Sequence, residues 1–260
     1  YNILKMKINK AIILSASSEI GFAVAMDFVR KGFHVVGTYN TDSEKILKLK
    51  KNGVKLYKLN LLNKKKIDQV SKKICLQTKN KWDYFISFAG TLNPINKIIQ
   101  SQSDTWEKSV YVNCLGQIRF LKNLLRKNNK RRKIIFFAGG AYNAASDYSA
   151  YTLSKTFLIK YVELLDFEEK LLNVSILGPG FINTKLHKNK KEKINSIKKI
   201  NKIKKVINCI SWILSQSKNL VSGRNFSLVH DSWGSKKMEK LLKTNKDIFK
   251  LRRYGNDLKT

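Results

Sequence analysis

The chain has 260 residues with an apolar fraction of 43%, a length and composition that suit one α/β domain with a sizeable core. Its 52 Lys+Arg against 18 Asp+Glu leave a formal net charge of +34. Only 2 prolines and 3 scattered cysteines (Cys75, Cys114, Cys209) argue against a Pro-rich linker, a disulfide framework and a Cys-based zinc site, and point to a reducing, cytoplasmic setting. His34, His187 and His230 are equally dispersed, so no metal site is expected.

The charge has two readings. One is an anionic partner: nucleic acid, a lipid surface or a phosphorylated substrate. The other, which we prefer, is compositional drift, because Lys, Ile and Asn are all abundant and Lys far outnumbers Arg.

In chain order, Lys5, Lys7 and Lys10 precede the apolar run Ala11–Leu14. That run is too short for a secretory signal and reads as a first buried strand. Further strands are expected at His34–Thr38, Val54–Lys58, Tyr84–Phe88, Lys133–Ala138, Val174–Leu177 and Phe226–Val229, several nearly continuous in Ile, Val, Leu and Phe. Between them lie helical stripes such as Ile20, Ala23, Val24, Phe28 and Phe157, Tyr161, Leu164, Leu165. No stretch reaches the ~18 apolar residues of a membrane span. The alternation predicts a doubly wound Rossmann-type parallel sheet of about seven strands with helices on both faces. Residues 1–234 are expected to form this domain, with a basic substrate-loop region near 183–205, and 235–260 a basic helical tail.

Four motifs carry chemistry. After the first strand, Ser15-Ala16-Ser17-Ser18-Glu19-Ile20-Gly21 offers the small residues that a phosphate-cradling turn needs at a helix N-terminus. Glu19 suits the helix dipole but would bring a negative charge near a pyrophosphate. Ser87-Phe88-Ala89-Gly90 follows the fourth strand, with Val112-Asn113 in the next helix. Tyr151-Thr152-Leu153-Ser154-Lys155 places a phenol and an amine on one helix face, where a cationic Lys is expected to lower the phenol's pKa from about 10. One helix and one strand later comes Gly178-Pro179-Gly180-Phe181-Ile182-Asn183-Thr184.

In this order the motifs resemble those of the short-chain dehydrogenase/reductase family: T-G-A-S-S-G-I-G at the turn, N-N-A-G after the fourth strand, Y-x-x-x-K, then P-G-x-x-x-T. The likeness spans about residues 8 to 233. It implies a cofactor held by Ser15, Ser17, Ser18, Ile20, Gly21, Thr38, Asn60, Ala89, Gly90, Lys155, Pro179, Gly180, Ile182 and Thr184. It implies Tyr151 as general acid/base, Lys155 as its tuner and ribose anchor, and Asn113 in a proton relay. The sequence departs from the pattern at Leu14, Ser15 and Glu19 of the turn and at both asparagines of N-N-A-G. Where the family carries a catalytic serine, at the end of the fifth strand, stands Ala138, followed by Gly139 and Gly140. Such a donor can be worth about 10²–10³ in rate, by analogy with oxyanion-hole donors. Ser146 and Tyr142 are the nearby hydroxyls.

Other features refine the expectation. No acid stands in Gly37-Thr38-Tyr39-Asn40-Thr41, where NAD binders place one, and Asp42 comes late, so NADP is favoured over NAD. Trp212-Ile213-Leu214 with Val221-Ser222-Gly223-Arg224-Asn225 resembles the family's late helix, turn and final strand. His230-Asp231-Ser232-Trp233 and Lys250–Arg253 look like a subset tied to surface-polysaccharide and nucleotide-sugar pathways. The resemblance also implies a homo-oligomer. The leading function is an NAD(P)-dependent oxidoreductase acting on a carbonyl or secondary alcohol, its substrate anionic, phosphorylated or nucleotide-sugar-like. The alternative is a catalytically impaired dinucleotide-binding or regulatory protein. Nucleic-acid binding is disfavoured, because the basic loop lacks interleaved aromatics.

Overall fold

A computed structural model describes residues 8–126, 129–138, 146–182 and 202–252. Seven strands form a parallel sheet with helices on both faces: β1 (Lys10–Leu14), β2 (His34–Tyr39), β3 (Lys55–Lys58), β4 (Tyr84–Ser87), β5 (Arg132–Phe137), β6 (Leu172–Gly178) and β7 (Asn225–Ser227). Their order is β3-β2-β1-β4-β5-β6-β7. All seven expected strands are present, with ends shifted by one or two residues. The helices are α1 (Glu19–Arg30), α2 (Glu44–Lys51), α3 (Lys64–Thr78), α4 (Ser103–Val110), α5 (Gly116–Leu125), α6 (Ser149–Glu168), α7 (Ile203–Ser215), α8 (Lys218–Val221) and α9 (Lys236–Thr244). A π-helical turn, Tyr111–Leu115, joins α4 to α5. Among the described residues, no helix is long and apolar enough to cross a membrane.

The chain divides into two compact units. The first comprises Tyr1–Ala89 and Leu115–Arg132, the second Gly90–Cys114 and Lys133–Thr260. In the first, β1 is apolar on both faces and Ala11, Ile12 and Ile13 are fully buried, as a strand covered from both sides requires. It pairs with β2 on one side and β4 on the other. The chain therefore winds outward through β2 and β3, then returns across β1 to β4. That reversal is the switch point at whose carboxyl end ligands of such sheets bind.

Arg132 opens β5 with a buried guanidinium. It lies 3.9 Å over the Trp82 ring and donates to the Trp82 and Asn80 carbonyls at 3.3 and 3.0 Å. Burial pushes its pKa down to about 10. The ring and the two carbonyls hold the cation where water cannot.

In the second unit, α6 packs on β6, and β6 pairs with β7. Glu163 of α6 is buried, yet its carboxyl is held below the usual carboxylate range. Desolvation pushes it up, and donors from Lys160, the Leu251 amide and Arg252 outweigh that push. The tail was expected to be one basic helix from Ser235. Its helix, α9, is capped by Ser235 and ends at Thr244. There Asn245 Oδ1 accepts from the Asp247 and Ile248 amides, both at 3.0 Å, and turns the chain. Met238 and Leu242 of α9 are buried.

The Arg132 contact is testable. Arg132→Ala removes the donor that the Trp82 and Asn80 carbonyls share and leaves a cavity beside Trp82. It is expected to destabilise the fold by at least about 2 kcal/mol, read as a lower urea midpoint at unchanged m-value.

Candidate active site

The candidate residues fall in two groups, one in each unit. In the first unit the turn after β1 stands at the switch point. Ser15 has φ of 62°, the left-handed conformation that glycine favours, so the serine keeps the turn at some strain. Thr38 of β2, itself buried, holds it there: its Oγ1 accepts from the Ser15 amide at 3.1 Å and its carbonyl from the Ala16 amide at 2.8 Å. Ser18 caps α1, accepting from the Gly21 amide at 3.0 Å. Gly21 is dictated by space, since a Cβ there would lie 2.4 Å from the Ser15 carbonyl and 2.7 Å from Ser18 Oγ. Ser17 and Ile20 lie in the turn and the first turn of α1, both partly exposed.

The charge of Glu19 is met within the same unit. Lys45 of α2 places Nζ 3.3 Å from its carboxylate. At the end of β2, Asp42 is exposed and paired with Lys58 at 2.5 Å. Asn60 is exposed as well, and its Oδ1 accepts from the Leu62 amide at 2.9 Å in a local turn. Ala89, buried after β4, accepts through its carbonyl from Gln117 Nε2 at 3.1 Å.

In the second unit the catalytic candidates come together. Lys155 sits within α6 at 3% exposure. Its Nζ lies 5.6 Å from the centroid of the Tyr151 ring, one helical turn earlier. A Cβ on Gly90 would stand 3.3 Å from Asn113 Oδ1 and 3.7 Å from Lys155 Nζ, so Gly90, Asn113 and Lys155 adjoin. Asn113 is fully buried in the π-helical turn. Its Oδ1 accepts from the Thr91 amide at 2.8 Å, and its Nδ2 donates to the Thr91 carbonyl at 2.9 Å and to Ser109 Oγ at 3.1 Å. The Asn113 side chain thus clamps the backbone that follows Gly90.

One expectation is reversed. The phenol of Tyr151 is pushed up to about 12 by burial. The amine stands over the ring face, and desolvation dominates. The same burial lowers Lys155 to about 8, with a smaller opposing influence from Cys114.

Beyond β6, Gly180 has φ of 65°, which suits glycine, Pro179 is partly exposed and Ile182 is buried. Thr184, Asn183, Gly139, Gly140 and Tyr142 lie outside the described residues, as does most of the 183–205 region. Ala138 is buried at the end of β5, its amide donating to the Leu177 carbonyl at 3.0 Å. Ser146 is exposed before α6.

Sequence reading missed Lys45, Ser109 and Gln117. Lys45 carried no signal, because a lysine in a basic helix is unremarked. Ser109, Asn113 and Gln117 did carry one: three polar residues at four-residue spacing on a face that is buried.

Comparison with known proteins agrees with this geometry. The family model described as enoyl-(acyl carrier protein) reductase matches residues 15–229. The chain is 31% identical over 204 residues to the 3-oxoacyl-(acyl-carrier-protein) reductase FabG of Buchnera aphidicola subsp. Acyrthosiphon pisum, covering 74% of this chain and 80% of that one. A short-chain dehydrogenase/reductase structure from Serratia marcescens superposes with a TM-score of 0.77 at 15% identity, covering 84% of this chain and 95% of that one. A short-chain dehydrogenase of Shigella flexneri, solved with NADP, gives 0.73 at 17% identity, covering 85% and 96%. Matched over most of its length by model, sequence and fold, the chain belongs to the short-chain dehydrogenase/reductase family.

Proposed function

We propose that the protein is an NADP-preferring oxidoreductase that reduces a carbonyl to a secondary alcohol, with Tyr151 as general acid and Lys155 as its electrostatic partner. The observation that carries this reading is the burial of Lys155. An amine at 3% exposure on a helix, one turn from a half-buried tyrosine with a desolvated phenol, is a destabilising placement that packing alone does not require.

The residues present fit a dinucleotide. In the first unit, the tight Ser15–Gly21 turn at the α1 N-terminus suits the pyrophosphate. In the second unit, Gly90, Lys155, Pro179, Gly180 and Ile182 suit the nicotinamide half, and Thr184 completes that set by resemblance. The bound dinucleotide supplies the hydride. Tyr151 Oη, which burial keeps protonated, donates its proton to the carbonyl oxygen, and the Lys155 ammonium stabilises the phenolate left behind. Asn113, with its amide on Thr91, positions the backbone next to Gly90. The pairing of Asp42 with Lys58 supports a 2′-phosphate at the end of β2. The name of the Buchnera relative makes 3-oxoacyl thioesters the first substrates to screen, with phosphorylated and nucleotide-linked carbonyls next. The exposed stripe Leu153, Phe157, Leu164 and Phe167 on α6 supports a homo-oligomer.

Ala138 favours a second reading, in which the dinucleotide binds and turnover is slow. NADPH titration followed by cofactor fluorescence, with a carbonyl screen, separates the two. Binding with turnover supports the reductase, binding without turnover supports the second reading, and no binding at millimolar NADPH overturns both.

The Glu19 pair gives a sharper expectation. Lys45→Ala is expected to weaken NADPH binding about three- to tenfold by removing a positive charge that faces Glu19 at the turn, and Lys45→Ala with Glu19→Gln to restore it. Equal weakening in the single and double variants would show that Lys45 acts by another route.

Lys155 links site to stability. Between about 8 and its ordinary 10.5, the unfolded chain holds this proton and the folded chain does not, so stability from this group rises with pH across that window. Below about 8 the desolvation penalty is present in full. Lys155→Met is therefore expected to abolish carbonyl reduction yet stabilise the cofactor-free protein at pH 7, on the order of 2 kcal/mol. That gain should shrink as urea unfolding is repeated toward pH 10.

A further inference from the structure

Gln117 of α5 stands one helical turn beyond Asn113, buried like it, and no step above uses it. Its Nε2 donates to the Ala89 carbonyl at 3.1 Å, and its Oε1 accepts from Ser87 Oγ at 2.6 Å. Ser87 is fully buried and Ala89 nearly so. A carbonyl can only accept, so the amide nitrogen must face Ala89. The amide oxygen then faces Ser87, whose hydroxyl must donate. The two bonds fix the amide in one orientation.

An unneeded polar side chain at such a place would be destabilising, and a leucine would fill similar volume without that penalty. The carbonyl that Gln117 grips belongs to the peptide leading into Gly90. Gly90 stands close against two polar side chains of the second unit. Its absent Cβ would stand 3.7 Å from Lys155 Nζ and 3.3 Å from Asn113 Oδ1. Rotation of the Ala89–Gly90 peptide would move Gly90 against or away from that amine. On the far side of Gly90, Asn113 holds both backbone polar groups of Thr91. The backbone on either side of Gly90 is thus gripped by a carboxamide.

We propose that Gln117 is a positioning residue for the reaction: by holding the Ala89 carbonyl it sets the peptide that places Gly90 beside Lys155 and the nicotinamide. The proposal rests on the oxidoreductase reading. It assigns Gln117 a role in cofactor binding and in the setting of the lysine, beyond its contribution to the core.

The test uses the full chain with Gln117→Met, which removes both bonds at similar volume, and Gln117→Glu, which keeps the acceptor toward Ser87 and replaces the donor toward Ala89 by oxygen. Three quantities are read. They are the NMR titration of the Lys155 side chain, assigned by its loss in Lys155→Met, the NADPH Kd, and the urea midpoint. Both variants are expected to move the Lys155 titration by about half a pH unit or more and to weaken NADPH binding about tenfold, the scale of one buried hydrogen bond. If the urea midpoint falls while the Lys155 titration and the NADPH Kd of the folded protein stay within about twofold of wild type, Gln117 is structural only and the proposal is overturned. Gln117→Glu is nearly isosteric and serves should Gln117→Met not fold. If the wild-type chain binds no NADPH, the oxidoreductase reading falls, and the Lys155 titration still decides whether Gln117 sets that amine.

Discussion

The constraint on which the second unit depends is the withdrawal of the Lys155 ammonium from water. Solvent would hold that charge, and burial in α6 removes it, which is why the amine is pushed down to about 8. The same medium pushes the Tyr151 phenol up to about 12. The two shifts are opposite in number and alike in cause, since each favours the neutral form. At neutral pH the phenol therefore keeps its proton, and the amine keeps its charge by a narrow margin. A negative charge developing on the phenol would find a cation one helical turn away. The low-dielectric surroundings that oppose the charge of Lys155 in the resting chain strengthen its attraction for a phenolate.

The first unit handles a different problem, a serine held in a backbone conformation that glycine favours. Ser15 stays in the left-handed region because Thr38 grips its amide and the Ala16 amide together. Gly21 remains glycine because the Ser15 carbonyl occupies the space where a Cβ would stand. Glu19 stands at the positive end of α1, where the helix dipole favours it, and Lys45 answers its charge. These contacts hold the turn in its shape. They also make the electrostatics of the turn depend on a residue in the next helix.

Much of this was legible in the sequence. Several strands, β1 and β5 among them, stood out because strands buried on both faces are nearly continuous in apolar residues. Tyr151 and Lys155 stood out because a four-residue spacing within a segment of helical period puts both on one face. What was not legible depended on three-dimensional surroundings. The direction of the Tyr151 shift is set by the dielectric around it, and a Lys four residues away suggested the opposite sign. The Glu19–Lys45 pair joins α1 to α2 through space, and nothing local announces it. Arg132 reads as one more basic residue before a strand, yet it is buried against Trp82. The tail ended its helix at Asn245, where a side chain captured two amides that a continued helix would have used.

The row Ser109, Asn113, Gln117 lies between these cases. Its spacing was visible, and its burial was not. A buried face carrying three polar side chains in succession gives up hydrophobic stabilisation that leucines would supply. That sacrifice is compensated only where every polar atom finds a partner, and here the partners are backbone groups of Ala89 and Thr91 with the hydroxyl of Ser87. The segment Ser87-Phe88-Ala89-Gly90 carries no carboxamides of its own. The helix alongside supplies them instead. A π-helical turn at Tyr111–Leu115 shifts the phase of the helix between Ser109 and Gln117, one of the few devices that re-aims side chains without breaking a helix. The backbone on either side of Gly90 is thereby ordered by side chains that approach it from the helix.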